Sequence, residues 1–129
     1  MFGFLGSAAQ LMGAGFSAGQ ASALVGPVPT GGISAAGTTL ATATALAAVT
    51  NLVSTVGSAA GVKLPTAAVT NDFCIVYNDG GANPLLVYPD ASTSKINQLA
   101  VGVAITLAPN TAMFAVKVTS TRWVAFLSA

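Results

Sequence analysis

Apolar and polar positions divide the chain into two unlike parts. Over residues 1–26 the large residues Phe2, Phe4, Leu5, Leu11, Met12, Phe16 and Leu24 stand among Gly, Ala and Ser, with no charged side chain between them. From residue 38 onward, short runs of β-branched and aromatic residues recur between Gly, Pro, Asn and Ser. Runs bounded in this way read as strands.

The second part can be followed strand by strand. Residues 38–46 alternate Thr with Ala and Leu, the period of a half-buried strand, although the alanines also suit a helix over 40–50. Residues 50–56 read as a strand, 57–61 as a turn, and Val62–Leu64 as a short strand stopping at Pro65. Phe73–Tyr77 is densely apolar, and Asn78–Pro84 is turn chemistry that predicts a hairpin to Leu85–Tyr88. A polar loop covers 90–95, and Ile96–Leu99 is a short edge piece. Val103–Leu107 is a strand, and Ala112–Val118 pairs with Arg122–Leu127 across Thr119-Ser120-Thr121. About eight or nine short strands at this spacing predict a mainly β domain over residues 36–129, a β-sandwich or jelly-roll-like fold. Trp123 and Phe73–Tyr77 are expected to share its core.

The first part reads as an arm. Pro27 and Pro29 push the residues before them out of the helical region, so Gly26–Gly32 forms an extended hinge. Residues 1–35 are thus an arm and hinge. The segment lacks the positive n-region of a signal peptide. As a membrane span it is broken by Ser7, Gln10, Ser17, Gln20, Ser22 and repeated glycines. If residues 4–24 form a short helix, Leu5, Met12 and Phe16 fall near one stripe. Glycines weaken such a helix, so contacts must order it. The seven large residues named above are the candidate assembly interface. A membrane-active role for residues 1–26 is the lesser alternative.

Composition sharpens the picture. Charged residues are 5% of the 129, where an average soluble domain has roughly 25%. They are Asp72, Asp79, Asp90, Lys63, Lys95, Lys117 and Arg122. A free monomer resists association through a charged surface, so sheet edges or faces are expected to lie against neighbouring subunits in a homo-oligomer. A net charge of +1 rules out a strong electrostatic pull on nucleic acid or anionic lipid. Without His or Glu, neither a Ser-His-Asp nor a Cys-His arrangement can form, and no catalytic, cofactor or metal site is expected. Asp79-Gly80-Gly81-Ala82-Asn83 has too few carboxylates for calcium. Cys74, within an apolar run, reads as a small buried hydrophobe. Trp123, Tyr77 and Tyr88 read as core or interface aromatics more readily than as a sugar platform.

Several segments resemble short virion proteins of tailed bacteriophages. They are Val62-Lys63-Leu64-Pro65, the stretch from Val76-Tyr77-Asn78 through Tyr88-Pro89, Ile96-Asn97-Gln98-Leu99, and the strand with Trp123. Residues 36–58 resemble the Thr/Ala-rich lead-in of the same module, so the likeness spans 36–129. It implies a capsid decoration protein, a head fibre or a tail-associated module, often trimeric. The expectation is a non-enzymatic decoration or cement protein on the capsid surface, bound to the major capsid protein or another virion protein. The alternative is a fibre module binding a receptor or glycan.

Overall fold

The computed structural model describes residues 28–129. The ten strands are β1 (Thr30–Ser34), β2 (Thr44–Ala45), β3 (Thr50–Thr55), β4 (Gly61–Lys63), β5 (Phe73–Asn78), β6 (Leu85–Tyr88), β7 (Lys95–Ile96), β8 (Ile105–Leu107), β9 (Ala112–Thr119) and β10 (Arg122–Leu127). Among the described residues there is no helix. The alanine-rich stretch from residue 40 instead begins in a turn, where the amides of Thr42 and Ala43 both donate to the Thr39 carbonyl. The Thr39 amide donates to the Thr42 hydroxyl, a local bond that competes with helix.

Strands β1 to β9 alternate between two sheets, and β10 stays in the sheet of β9. The six-stranded sheet has the order β1-β3-β5-β9-β10-β7, and the four-stranded sheet β2-β4-β6-β8. The pairs β1–β3, β3–β5, β2–β4 and β4–β6 are all parallel. Each odd–even pair is therefore one turn of a coil, and three such turns stack. The course then reverses. Strand β8 runs antiparallel to β6, β9 antiparallel to β5, and β10 antiparallel to β9, while β7 lies parallel beside β10.

The mainly β expectation is met, but the arrangement is solenoid-like stacked coils in mixed sheets, not a β-sandwich or jelly roll. Parallel neighbours need a crossover, and here the opposite sheet supplies it. The segment at 78–84 shows why the reading differed. It is a corner that carries the chain from β5 in one sheet to β6 in the other, not a hairpin. Hairpins and corners both use Gly and Asn, so their sequences look alike.

The sheet also begins earlier than residue 36. Residues 30–34, read as hinge, pair with β3 as its outer neighbour. Gly32 takes a φ of +66°, within the stretch between Thr30 and Ile33 where the pairing register shifts, as in a bulge. Ile33 then packs against the core.

The core fills the space between the sheets. Val53, Val62, Leu64, Val76, Leu85, Val87, Ile96, Leu107, Met113 and Trp123 are all fully buried. Each large apolar side chain contributes about 1.5–3 kcal/mol by leaving water. Asparagines lock the corners. Asn78 Nδ2 donates to the carbonyls of Asn83 and Leu107, and its Oδ1 accepts from the Gly80 amide. Asn83 Nδ2 reaches the Val56 carbonyl. Asn97 both donates to the Ala125 carbonyl and accepts from the Ala125 amide. These bonds satisfy polar backbone where no sheet ladder can.

Candidate functional site

Strand polarity along β9 and β10 is unusual. On β9, Met113, Ala115 and Lys117 are buried, whereas Phe114 and Val118 are exposed and Val116 half-buried. The strand's only charged side chain thus points inward and its phenylalanine outward. An antiparallel sheet with one wet face normally shows the reverse.

The same outward phase runs across four strands. Register aligns Thr50, Ile75, Phe114 and Phe126 in one row. A second row is Leu52, Tyr77 and Ala112, and a third is Phe73, Val116 and Val124. Phe126 is 63% exposed and Phe114 40%. The Phe73 and Phe114 rings lie 5.6 Å apart. A shallow depression of about 270 Å³ opens at one end, lined by Ile75, Met113, Phe114, Phe126 and Leu127. None of these rows carries a charge. At the opposite end Lys95 and Arg122 are register partners and form a basic rim. This contiguous exposed apolar surface is the candidate site among the described residues.

Phe73 belongs to this outer face, at 38% exposure, and not to the core. The expectation that its strand shares a core with Trp123 holds for Cys74 and Val76, which alternate with it.

Beneath the face lies a buried ion pair. Asp90 follows β6, and its Oδ2 stands 2.5 Å from Lys117 Nζ. Its Oδ1 accepts from Trp123 Nε1 at 3.0 Å. Lys117 Nζ also donates to the Ala68 carbonyl and sits 5.8 Å from the centre of the Trp123 ring. Burial alone would raise the Asp90 pKa. Hydrogen bonds from Lys117, Trp123 and Ser94, with the lysine charge, outweigh it and hold the carboxyl below its ordinary value. Each hydrogen-bonding atom of this cluster is engaged with its neighbours, so the arrangement ties β9, β10 and the 65–69 and 90–94 loops together.

Cys74 is buried against Asn51, whose Nδ2 donates to its sulfur. Burial pushes the thiol up to about 12, against a smaller lowering by Asn51. It stays protonated and inert as a nucleophile. Among the described residues no group of three His, Cys, Asp or Glu side chains is placed to hold a metal.

A second groove of about 280 Å³ runs past Ala47–Val49, Pro65, Asn71 and Phe73, with Trp123 also in its lining. The candidate interface residues Phe2, Phe4, Leu5, Leu11, Met12, Phe16 and Leu24 lie outside the described residues. So does the membrane-active alternative over 1–26. The outer face itself was legible only as a hint. Phe73–Tyr77 and Ala112–Val118 are apolar nearly throughout, as in strands covered on both sides.

Searched against known families, curated proteins and solved structures, the chain matches none.

Proposed function

We propose that the protein is a non-enzymatic structural subunit that assembles through the outer face of its six-stranded sheet. One observation carries this reading. The face presents Phe73, Ile75, Phe114, Phe126 and Val124 in aligned rows without a charge, while Lys117 is turned inside. Exposing these residues gains nothing for a monomer, and covering them favours association.

The setting we propose is a virion, with the subunit as a capsid decoration or cement protein in a homo-oligomer, most simply a trimer. This rests on the resemblance of Val62–Pro65, Val76–Pro89, Ile96–Leu99 and the strand with Trp123 to tailed-phage virion modules. In the fold these residues act as formers: Val62 and Leu64 fill the core, and Asn78 and Asn97 lock corners. Incubating purified protein with tailed-phage capsids and imaging them by electron microscopy tests the setting. Regular extra density on the shell is expected, and bare shells at saturating protein would remove it.

A fibre module is the second reading. Its support is the stacked coil, whose edge strands β1 and β2 lie at the same end and, among the described residues, have no further strand beside them. Solenoid ends of this kind stack readily on further coils.

A further inference from the structure

We infer that the apolar face receives the N-terminal arm, residues 1–27, of a neighbouring copy. This rests on the self-association reading above and names what lies on the face.

The two surfaces match in chemistry. The face has no charge within its rows, and Phe114 and Phe126 are among the lining of its depression of about 270 Å³. The arm has no charged side chain, and it sets Phe2, Phe4, Leu5, Leu11, Met12, Phe16 and Leu24 among small residues. Large residues fill depressions, while Gly and Ala let backbone lie close to a flat sheet. Placing two identical faces together would bury one apolar surface and leave the other in water. Laying the arm on the face covers both.

Connectivity favours a neighbour over the same chain. The arm reaches the fold through Gly26-Pro27-Val28-Pro29 and enters β1 at the edge of the six-stranded sheet. Val28, the first described residue, is 80% exposed, and Pro29 after it disfavours helical backbone there. Strand β1, where the described residues begin their sheet, is the edge strand beyond β3, so the arm is joined at the margin of the face and not within it. A segment of this length reaches up to roughly 90 Å when extended, enough to span to a second subunit. Exchange of a segment between identical copies is a low-cost route to closed oligomers.

The lone Cys74, buried and protonated, leaves engineered cysteines as the reactive thiols. Two full-length variants, Ser17→Cys and Leu127→Cys, carrying different tags, are co-expressed and mildly oxidised. The pairing Ser17→Cys with Thr106→Cys, on the other sheet, is the control. A disulfide between differently tagged chains is expected, exceeding the control on the order of tenfold because docking raises the effective concentration. Val118→Cys, at the other end of the face, guards against a misfolded Leu127 variant. Sedimentation of the wild-type chain accompanies the experiment. An oligomer whose arm links no better to the face than to the control overturns the arm inference and leaves self-association standing. A disulfide formed only within a single Ser17→Cys/Leu127→Cys chain also overturns it. A wild-type monomer overturns both.

Discussion

Lys117 and Phe114 lie three residues apart on β9 and face opposite ways, the lysine into the fold and the phenylalanine into solvent. An isolated soluble domain places these side chains the other way round. The lysine is held inside by Asp90, and the phenylalanine is left outside in a row with Ile75 and Phe126. This inversion is the observation on which the proposed association through the outer face rests.

The inward lysine should be costly to remove alone. Lys117→Met leaves the Asp90 carboxylate buried with only the donors from Trp123 and Ser94. The expected loss is about 3–5 kcal/mol. Adding Asp90→Leu should restore most of it, because the double variant carries no unpaired buried charge. Urea unfolding of the single and double variants measures the difference. Equal losses in both would mean that the pair is not a unit.

Acid should weaken the fold through the same carboxyl. The folded Asp90 pKa lies below its ordinary value of 3.8, so the unfolded chain binds its proton more readily. The stability it contributes is therefore fully present above about pH 4 to 5 and is lost as pH falls through the lower folded value. Thermal unfolding between pH 6 and pH 2 should show a decline that Asp90→Asn flattens. An unchanged decline in the variant would assign the acid sensitivity to other groups.

The two faces of β5 and β10 should respond differently to truncation. Trp123→Ala opens the centre of the core and should cost about 3–5 kcal/mol. Phe73→Ala trims the outer face and should cost about 1 kcal/mol in the isolated subunit. Denaturant midpoints of the two variants check the order. A larger loss at Phe73 would place that ring in a core rather than on an interface.

Much of this fold could be read from residue patterns, and the shortfall has particular causes. The strands at 50–55, 73–78, 85–88, 112–119 and 122–127 were marked by β-branched and aromatic runs. The pairing of β9 with β10 across Thr119–Thr121 was legible too, but the partners of β5 and β6 were not, because Asn78–Pro84 is equally suited to a hairpin and to a corner between sheets. Strand β1 was missed because Thr30-Gly31-Gly32 has the composition of a linker, and only its pairing with β3 makes it a strand. The Asp90–Lys117–Trp123 cluster joins residues up to 33 positions apart, and no local spacing announces it. The outer face was foreshadowed by the shortage of charge, but its place depended on which phase of β9 turns inward. A lone lysine in an apolar strand ordinarily marks the solvent side, whereas Lys117 lies on the buried one, so residue type alone does not give the phase.

Sedimentation of the full chain beside its Phe114→Lys/Phe126→Lys variant tests the central claim most directly. Both changed positions are exposed, so the variant should stay folded with a far-ultraviolet spectrum like that of the wild type. The account predicts a wild-type oligomer at micromolar concentration and a monomeric variant, because two lysines placed in the middle row leave charge without a partner on contact. A wild-type chain that remains a soluble monomer, or a variant that assembles as well as the wild type, would contradict it.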